Sequence, residues 1–243
     1  MSVSGEKKRL LPKAISFDIY GTIIDWEGGT IEWYQKFMDR HHITHVSAKE
    51  IESAWEKLQF EYIRNYRPFR QVLMDTFEKT AWYYGFQYDQ DDVISFADEM
   101  AKMKAFPDSA EGMQQIRDLG IKVCALSNVD NDIITESFRH EGIVMDAIVT
   151  AEDVKCYKPH YEGFLKSQEV MGCTADEMHH AAFGFKYDCV PGNALGYTTV
   201  WIRRGDMLRD AFDLEDVCVG DLKTYAAYLR GLKAIDEENG FHY

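Results

Sequence analysis

The sequence predicts an α/β protein with a Rossmann-like parallel sheet core and one inserted helical cap. Three observations carry that expectation. Strand-sized apolar runs alternate with helix-periodic segments, one long stretch shows helical periodicity alone, and polar or charged residues stand at the ends of the runs. Alternating strands and helices favour a parallel sheet covered on both faces, with chemistry at the carboxyl ends of the strands.

The first run, Lys13 to Asp18, reads as a short buried strand leading into Ile19-Tyr20-Gly21-Thr22, where Gly21 permits a sharp turn. Similar runs recur at Ile121 to Leu126, Asp146 to Thr150, Ala181 to Phe185 and Thr198 to Ile202. Helical periodicity separates them at Asp130 to His140, Glu162 to Met171 and Asp188 to Leu195. From about Ile31 to Lys104 the chain shows three or four helix-like segments and no strand; Ile51, Ala54, Trp55, Leu58 and Tyr62 fall three or four apart, as an amphipathic helix requires. The core domain is therefore expected at residues 1–26 and 106–243 and the cap at 27–105, with Pro107 marking the return. Most of the many cap aromatics read as packing residues, leaving a few to line a pocket.

Composition narrows the function classes. A chain of 243 residues, 46% hydrophobic, can bury a full core. No apolar stretch reaches the roughly 20 residues a membrane helix needs, and Met1 to Lys13 lacks the apolar centre of a secretion signal. A soluble, cytoplasmic protein is expected. The formal charge of -14 disfavours nucleic acid or an anionic membrane as partner, which leaves a small-molecule substrate; a homodimer is compatible with the pattern. Cys124, Cys156, Cys173, Cys189 and Cys218 form no C-x-x-C pair, so a reduced compartment without a zinc cluster fits best. The adjacent pairs His41-His42 and His179-His180 read as surface or packing residues, since neighbours do not share a helical face.

Four short elements carry chemistry: Phe17-Asp18-Ile19-Tyr20-Gly21-Thr22, Leu126-Ser127-Asn128, Tyr157-Lys158-Pro159, and Tyr187-Asp188 with Gly192 and Gly196 behind it. Each ends or follows an expected strand, so all four can converge at one edge of the sheet. A carboxylate there can act as a nucleophile, splitting one displacement into formation and breakdown of an ester; Asp18 is the candidate. Lys158 would keep it ionised and in position. Ser127 and Asn128 can hydrogen-bond a substrate carboxylate or carbonyl, and Asp188 can orient Lys158 or activate water. Tyr20, Trp55 and Phe185 are further candidates for substrate binding.

In this order and spacing the four elements resemble the motifs of the haloacid dehalogenase superfamily, over about Lys13 to Arg204. The resemblance implies a Rossmann-like core with a cap and a nucleophilic aspartate. Phosphatases of that superfamily resemble D-x-D, whereas Asp18-Ile19-Tyr20-Gly21-Thr22 resembles the D-x-Y-G-T of the (S)-2-haloacid dehalogenases. A phosphatase is not expected. The fourth element offers only Asp188 as an acid and places Lys186 nearby, so no metal and no cofactor is expected.

The chain also departs from that pattern. Where the dehalogenases resemble W-R-x-K-Q-x-E-Y, with an Arg that cradles the departing halide, this chain has Trp55-Glu56-Lys57-Leu58-Gln59-Phe60-Glu61-Tyr62. Their S-S-N-A-W-D is here Phe183-Gly184-Phe185-Lys186-Tyr187-Asp188. Glu56 would repel a leaving anion; Arg64 or Arg67 could replace the missing cation. Alternatively Glu56, desolvated among aromatics, would become a proton donor. Three functions stay open: a dehalogenase-type hydrolase working through an Asp18 ester, an isomerase or cyclase opening an epoxide with Asp18 and Glu56 in a natural-product pathway, and an inactive member that only binds.

Overall fold

Runs buried on both faces pair into one parallel sheet, which is why they read as continuous apolar stretches. The computed structural model describes residues 9–204 and 214–242, and most of the segment Met1 to Lys13 lies outside them. Six strands, β1 (Ala14–Phe17), β2 (Lys122–Ser127), β3 (Ala147–Thr150), β4 (Met178–Ala182), β5 (Thr198–Ile202) and β6 (Val217–Val219), stand in the order β3-β2-β1-β4-β5-β6. Every pairing is parallel. Phe17 is level with Ala125 of β2 and Ala181 of β4, so the residues that follow β1 emerge between two neighbouring strand ends. The strand order reverses beside β1, the place where open parallel sheets form a crevice.

Two elements depart from the sequence reading. The fourth strand, expected at Ala181 to Phe185, runs from Met178 to Ala182. His179 and His180 interrupt the apolar pattern, yet both are buried inside the strand. Their ring nitrogens have partners: His179 Nδ1 lies 2.8 Å from the Tyr225 hydroxyl and His180 Nδ1 lies 2.8 Å from Ser16 Oγ. Neither is a surface residue. Phe185 to Cys189 then form one wide helical turn that leads into a short helix, Val190–Leu195.

Between β1 and β2 an inserted layer of four helices, α1 (Trp26–Arg40), α2 (Ala48–Tyr62), α3 (Phe69–Tyr84) and α4 (Gln90–Glu99), with no described strand among them, is followed by a helix against the sheet, Ser109–Arg117. Local chemistry sets their starts. Ser47 with Glu50, and Asp89 with Asp92, form reciprocal caps on α2 and α4. The helix α3 begins after Pro68, which has no side chain to cap it. Asp130, from the loop after β2, supplies the acceptors instead, taking the Phe69 and Arg70 amides at 2.8 and 2.9 Å. The two linkers to the sheet lie side by side, with the Asp25 amide on the Lys104 carbonyl and the Phe106 amide on that of Ile23.

Aromatic packing fills the helical layer. The Trp33 ring stacks on Phe37 and meets Phe77 and Phe96 edge-on. Glu52 is buried beside these rings with one carboxyl oxygen unpartnered, as are the hydroxyls of Thr30 and Tyr34. Burial first, then the nearby Glu56 and Glu27, push the Glu52 carboxyl up from 4.5 to about 8. Between those values the folded chain holds a proton that the unfolded chain releases, so stability falls as pH rises through that window. Thermal unfolding from pH 5 to 9 should show Tm declining for the native chain. Glu52→Gln should flatten the decline and raise Tm above pH 8, at roughly 2–4 °C per kcal/mol for a chain of this size.

Candidate active site

Three buried charges meet at the carboxyl end of the sheet. Asp18 follows β1 directly, its amide bonded to the Ala181 carbonyl of β4. Its two carboxylate oxygens have separate donors: Lys158 Nζ at 2.8 Å from Oδ1, and the Thr22 hydroxyl at 2.6 Å from Oδ2. Thr22 in turn accepts the Phe183 amide at 2.8 Å, which joins the first and fourth sequence elements. Gly21 makes this turn with a φ of 91°, a conformation that side chains disfavour, and a Cβ there would meet the Phe183 ring at 3.1 Å.

Lys158 uses all three of its ammonium hydrogens. Besides Asp18 it donates to Asp188 Oδ1 at 2.6 Å and to the Leu126 carbonyl at 3.1 Å. Asn128 fixes its backbone, accepting the Lys158 amide on Oδ1 at 2.7 Å and donating Nδ2 to the Lys158 carbonyl at 3.2 Å. The Asn128 amide, expected to bind substrate, is thus engaged by the chain itself. Asp188 Oδ1 also lies 3.0 Å from His180 Nε2. With Ser16 hydroxyl at the other ring nitrogen, the partners assign the donor hydrogen of His180 to Nε2. Gly184 lets Asp188 approach, since a Cβ at Gly184 would lie 2.4 Å from Asp188 Oδ2.

Burial sets the titration of this group. Desolvation dominates at Asp18 and raises its pKa despite Lys158. At Asp188 desolvation is outweighed by Lys158 and His180 together, and the pKa falls. Desolvation works against the Lys158 ammonium, but the two carboxylates overcome it and hold the proton. The site therefore contains one firmly ionised carboxylate, one cation, and a second carboxylate whose desolvation its partners do not offset.

These residues floor a cavity of about 120 Å³ whose wall includes Glu56 and Gln59 from α2. Ser127, Asn128 and Tyr20 line it. Burial first, then the charge of Glu27, raise the Glu56 pKa, against an opposing contribution from the Trp26 indole. The Tyr20 hydroxyl lies 2.6 Å from Ser137 Oγ, and burial raises its pKa. Two predicted wall residues are elsewhere. Trp55 packs inside the helical layer against Trp26 and Phe96, its indole N–H on Thr76 Oγ1 at 2.9 Å. Phe185 packs on Trp201 beneath the wide turn. Trp26 and Phe183 line the cavity in their places, with Phe60 stacked on Tyr187 at 4.7 Å. Arg64 and Arg67 do not line it either; they pair with Glu61 and Asp75.

Thr22 and His180 are the site residues sequence reasoning missed. Thr22 was in view as part of the first element, and only its hydrogen bonds give it a task. The donor set also does not suit Mg²⁺, which wants several anionic oxygens in octahedral array. The Lys158 ammonium bridges Asp18 and Asp188, and Tyr20 offers a neutral hydroxyl bonded to Ser137. Among the described residues no three His, Cys, Asp or Glu side chains could hold a metal ion together.

Comparison with known proteins identifies the family and the fold. Residues 12–183 match the family model described as haloacid dehalogenase-like hydrolase. Haloacetate dehalogenase H-2 of Moraxella sp. (strain B) is 21% identical over 200 residues, covering 79% of this chain and 86% of the relative. The (S)-2-haloacid dehalogenase of Pseudomonas sp. (strain YL) is 22% identical over 200 residues, covering 79% and 83%. The fold is similar to that of the L-2-haloacid dehalogenase from Xanthobacter autotrophicus with chloropropionic acid covalently bound. The TM-score is 0.80 at 19% identity, covering 91% of this chain and 99% of that one.

Replacing His180 tests the buried network. His180→Phe fills similar space but removes one of two donors to Asp188. Stability should drop by about 1–3 kcal/mol, the usual cost of a buried acceptor losing its partner. The acid limb of the rate profile should move to higher pH, because the bond that lowers the Asp188 pKa is gone. Calorimetry and a pH–rate series measure the two effects.

Proposed function

The chain belongs to the haloacid dehalogenase-like hydrolases, and we propose that it acts through an Asp18 ester on a small or aromatic organic substrate and is not a phosphatase. One observation carries this reading: the Asp18 carboxylate is held by Lys158 and Thr22 at the floor of a cavity with room for a ring-sized electrophile. An Asp18 oxygen attacks the electrophilic carbon and the bond to the leaving group breaks with its electrons. Poor solvation raises the energy of the carboxylate, and Lys158 keeps it oriented and ionised. Water then attacks the carbonyl carbon of the ester, helped by Asp188, and returns Asp18 with one new oxygen.

The phosphatase route lacks support in the site. Its second acid is replaced by Tyr20, a weaker acid whose pKa burial raises further. Turnover should therefore persist in chelator and gain nothing from Mg²⁺.

A second reading is favoured by Glu56, which lines the cavity with a raised pKa. A protonated Glu56 can donate to an epoxide oxygen as its C–O bond breaks. A nucleophile within the substrate closes on the carbon and its proton returns to Glu56, so no water is consumed. The surrounding aromatic rings would stabilise the positive charge that develops.

Repeated turnover in heavy-oxygen water separates the two. With 2-chloropropionate and a terminal epoxide whose own chain carries a hydroxyl able to close on it as test electrophiles, the ester route places the label on the Asp18 peptide, read by mass spectrometry; cyclisation of the hydroxy-epoxide without label favours the second reading. Asp18→Asn should abolish either reaction. Glu56→Gln should slow the acid-assisted route by roughly 10²- to 10⁴-fold and leave an ester route little changed.

A further inference from the structure

The cavity is poor in free positive charge and rich in acid. Asp18, Glu56 and Asp188 line it, and its basic residue, Lys158, spends its ammonium hydrogens on Asp18, Asp188 and a carbonyl. Arg64 and Lys186 flank Tyr187 but are exposed, Arg64 paired with Glu61 and Lys186 over the Tyr187 ring at 5.7 Å.

Of the two neutral groups expected to anchor a carboxylate, the Asn128 amide is engaged, which leaves the Ser127 hydroxyl to meet an anion without a cation beside it. Both the oxygen and the nitrogen of the Asn128 amide are bound to the Lys158 backbone. An anion entering here would be stripped of water against an excess of negative charge, with no free cation among the described residues of the wall to offset the loss. The rings of Trp26, Phe60, Phe69, Phe183 and Tyr187 complete the enclosure, and ring faces attract cations, not anions. At about 120 Å³ the space suits a group near one ring in size, since a cavity of about 150 Å³ accommodates benzene.

We propose that the substrate bears a cationic nitrogen, directed at Glu56 and enclosed by these rings, and that the cavity rejects carboxylates. This rests on the assignment of Asp18 as the reacting carboxylate and specifies what the opposite wall accepts. The leaving group departs near a positive charge carried by the substrate itself.

Three unreactive probes of matched shape test it: benzylammonium, benzyl alcohol and benzoate, titrated calorimetrically into the full chain at pH 7. Benzylammonium should bind at least tenfold more tightly than benzoate, with benzyl alcohol between. Glu56→Gln should shrink the ratio about tenfold or more. Equal binding of the three, tighter binding of benzoate, or no binding of benzylammonium overturns the proposal on the native chain alone, whether or not the variant folds. The probes form no ester, so this outcome is separate from the labelling result. Label on Asp18 with tighter benzoate would sink the cationic substrate and keep the ester, whereas preferred benzylammonium without label would do the reverse.

Discussion

One ammonium group between two buried carboxylates is the constraint on which the rest of the site depends. Taking three charges out of water costs several kcal/mol per ion, and their attraction repays this only if geometry is good and leftover lone pairs are satisfied. The fold meets both conditions. Asp18 and Lys158 come from loops beyond β1 and β3, and Asp188 from the wide turn after β4. Thr22, His180 and the Leu126 carbonyl complete their hydrogen bonds. The sheet order matters because β1 lies between β2 and β4, so the loops carrying the three charges converge at one edge.

Polar residues inside the core serve that constraint. Ser16 on β1 reaches His180 on β4, and His180 reaches Asp188, giving a line of hydrogen bonds from the middle of the sheet to the reactive edge. Such a line holds each member in one rotamer, because any rotation leaves a buried group unpaired.

How much was legible in the sequence follows from these details. Asp18, Lys158 and Asp188 could be read because a charge directly after an apolar run has few structural excuses. The helical insert was legible because its period never switches to two. His180 was not: strand positions facing a neighbouring strand's polar side chain look like defects in an apolar pattern, and the error moved β4 by three residues, from Ala181 back to Met178. Trp55 and Phe185 failed for a related reason. Each sits next to a cavity residue in the chain, Trp55 before Glu56 and Phe185 two places after Phe183, and a difference of one or two positions turns a side chain from wall to core. Asn128 lines the cavity, but composition cannot show that its amide is already bonded to the Lys158 backbone.

The cap on α3 has a consequence for anyone who would recombine this protein. Asp130 sits in the loop after β2, yet the helix end it satisfies belongs to the inserted layer, and the Tyr157 hydroxyl binds the Arg67 carbonyl just ahead of it at 2.7 Å. The two parts of the chain are therefore not interchangeable modules. A chimaera that grafts these helices onto another core without an acid at this loop position would leave amides of α3 without acceptors, and one that keeps Asp130 beneath foreign helices would bury a carboxylate without donors. Transplanting the substrate wall requires moving residues on both sides of the seam together.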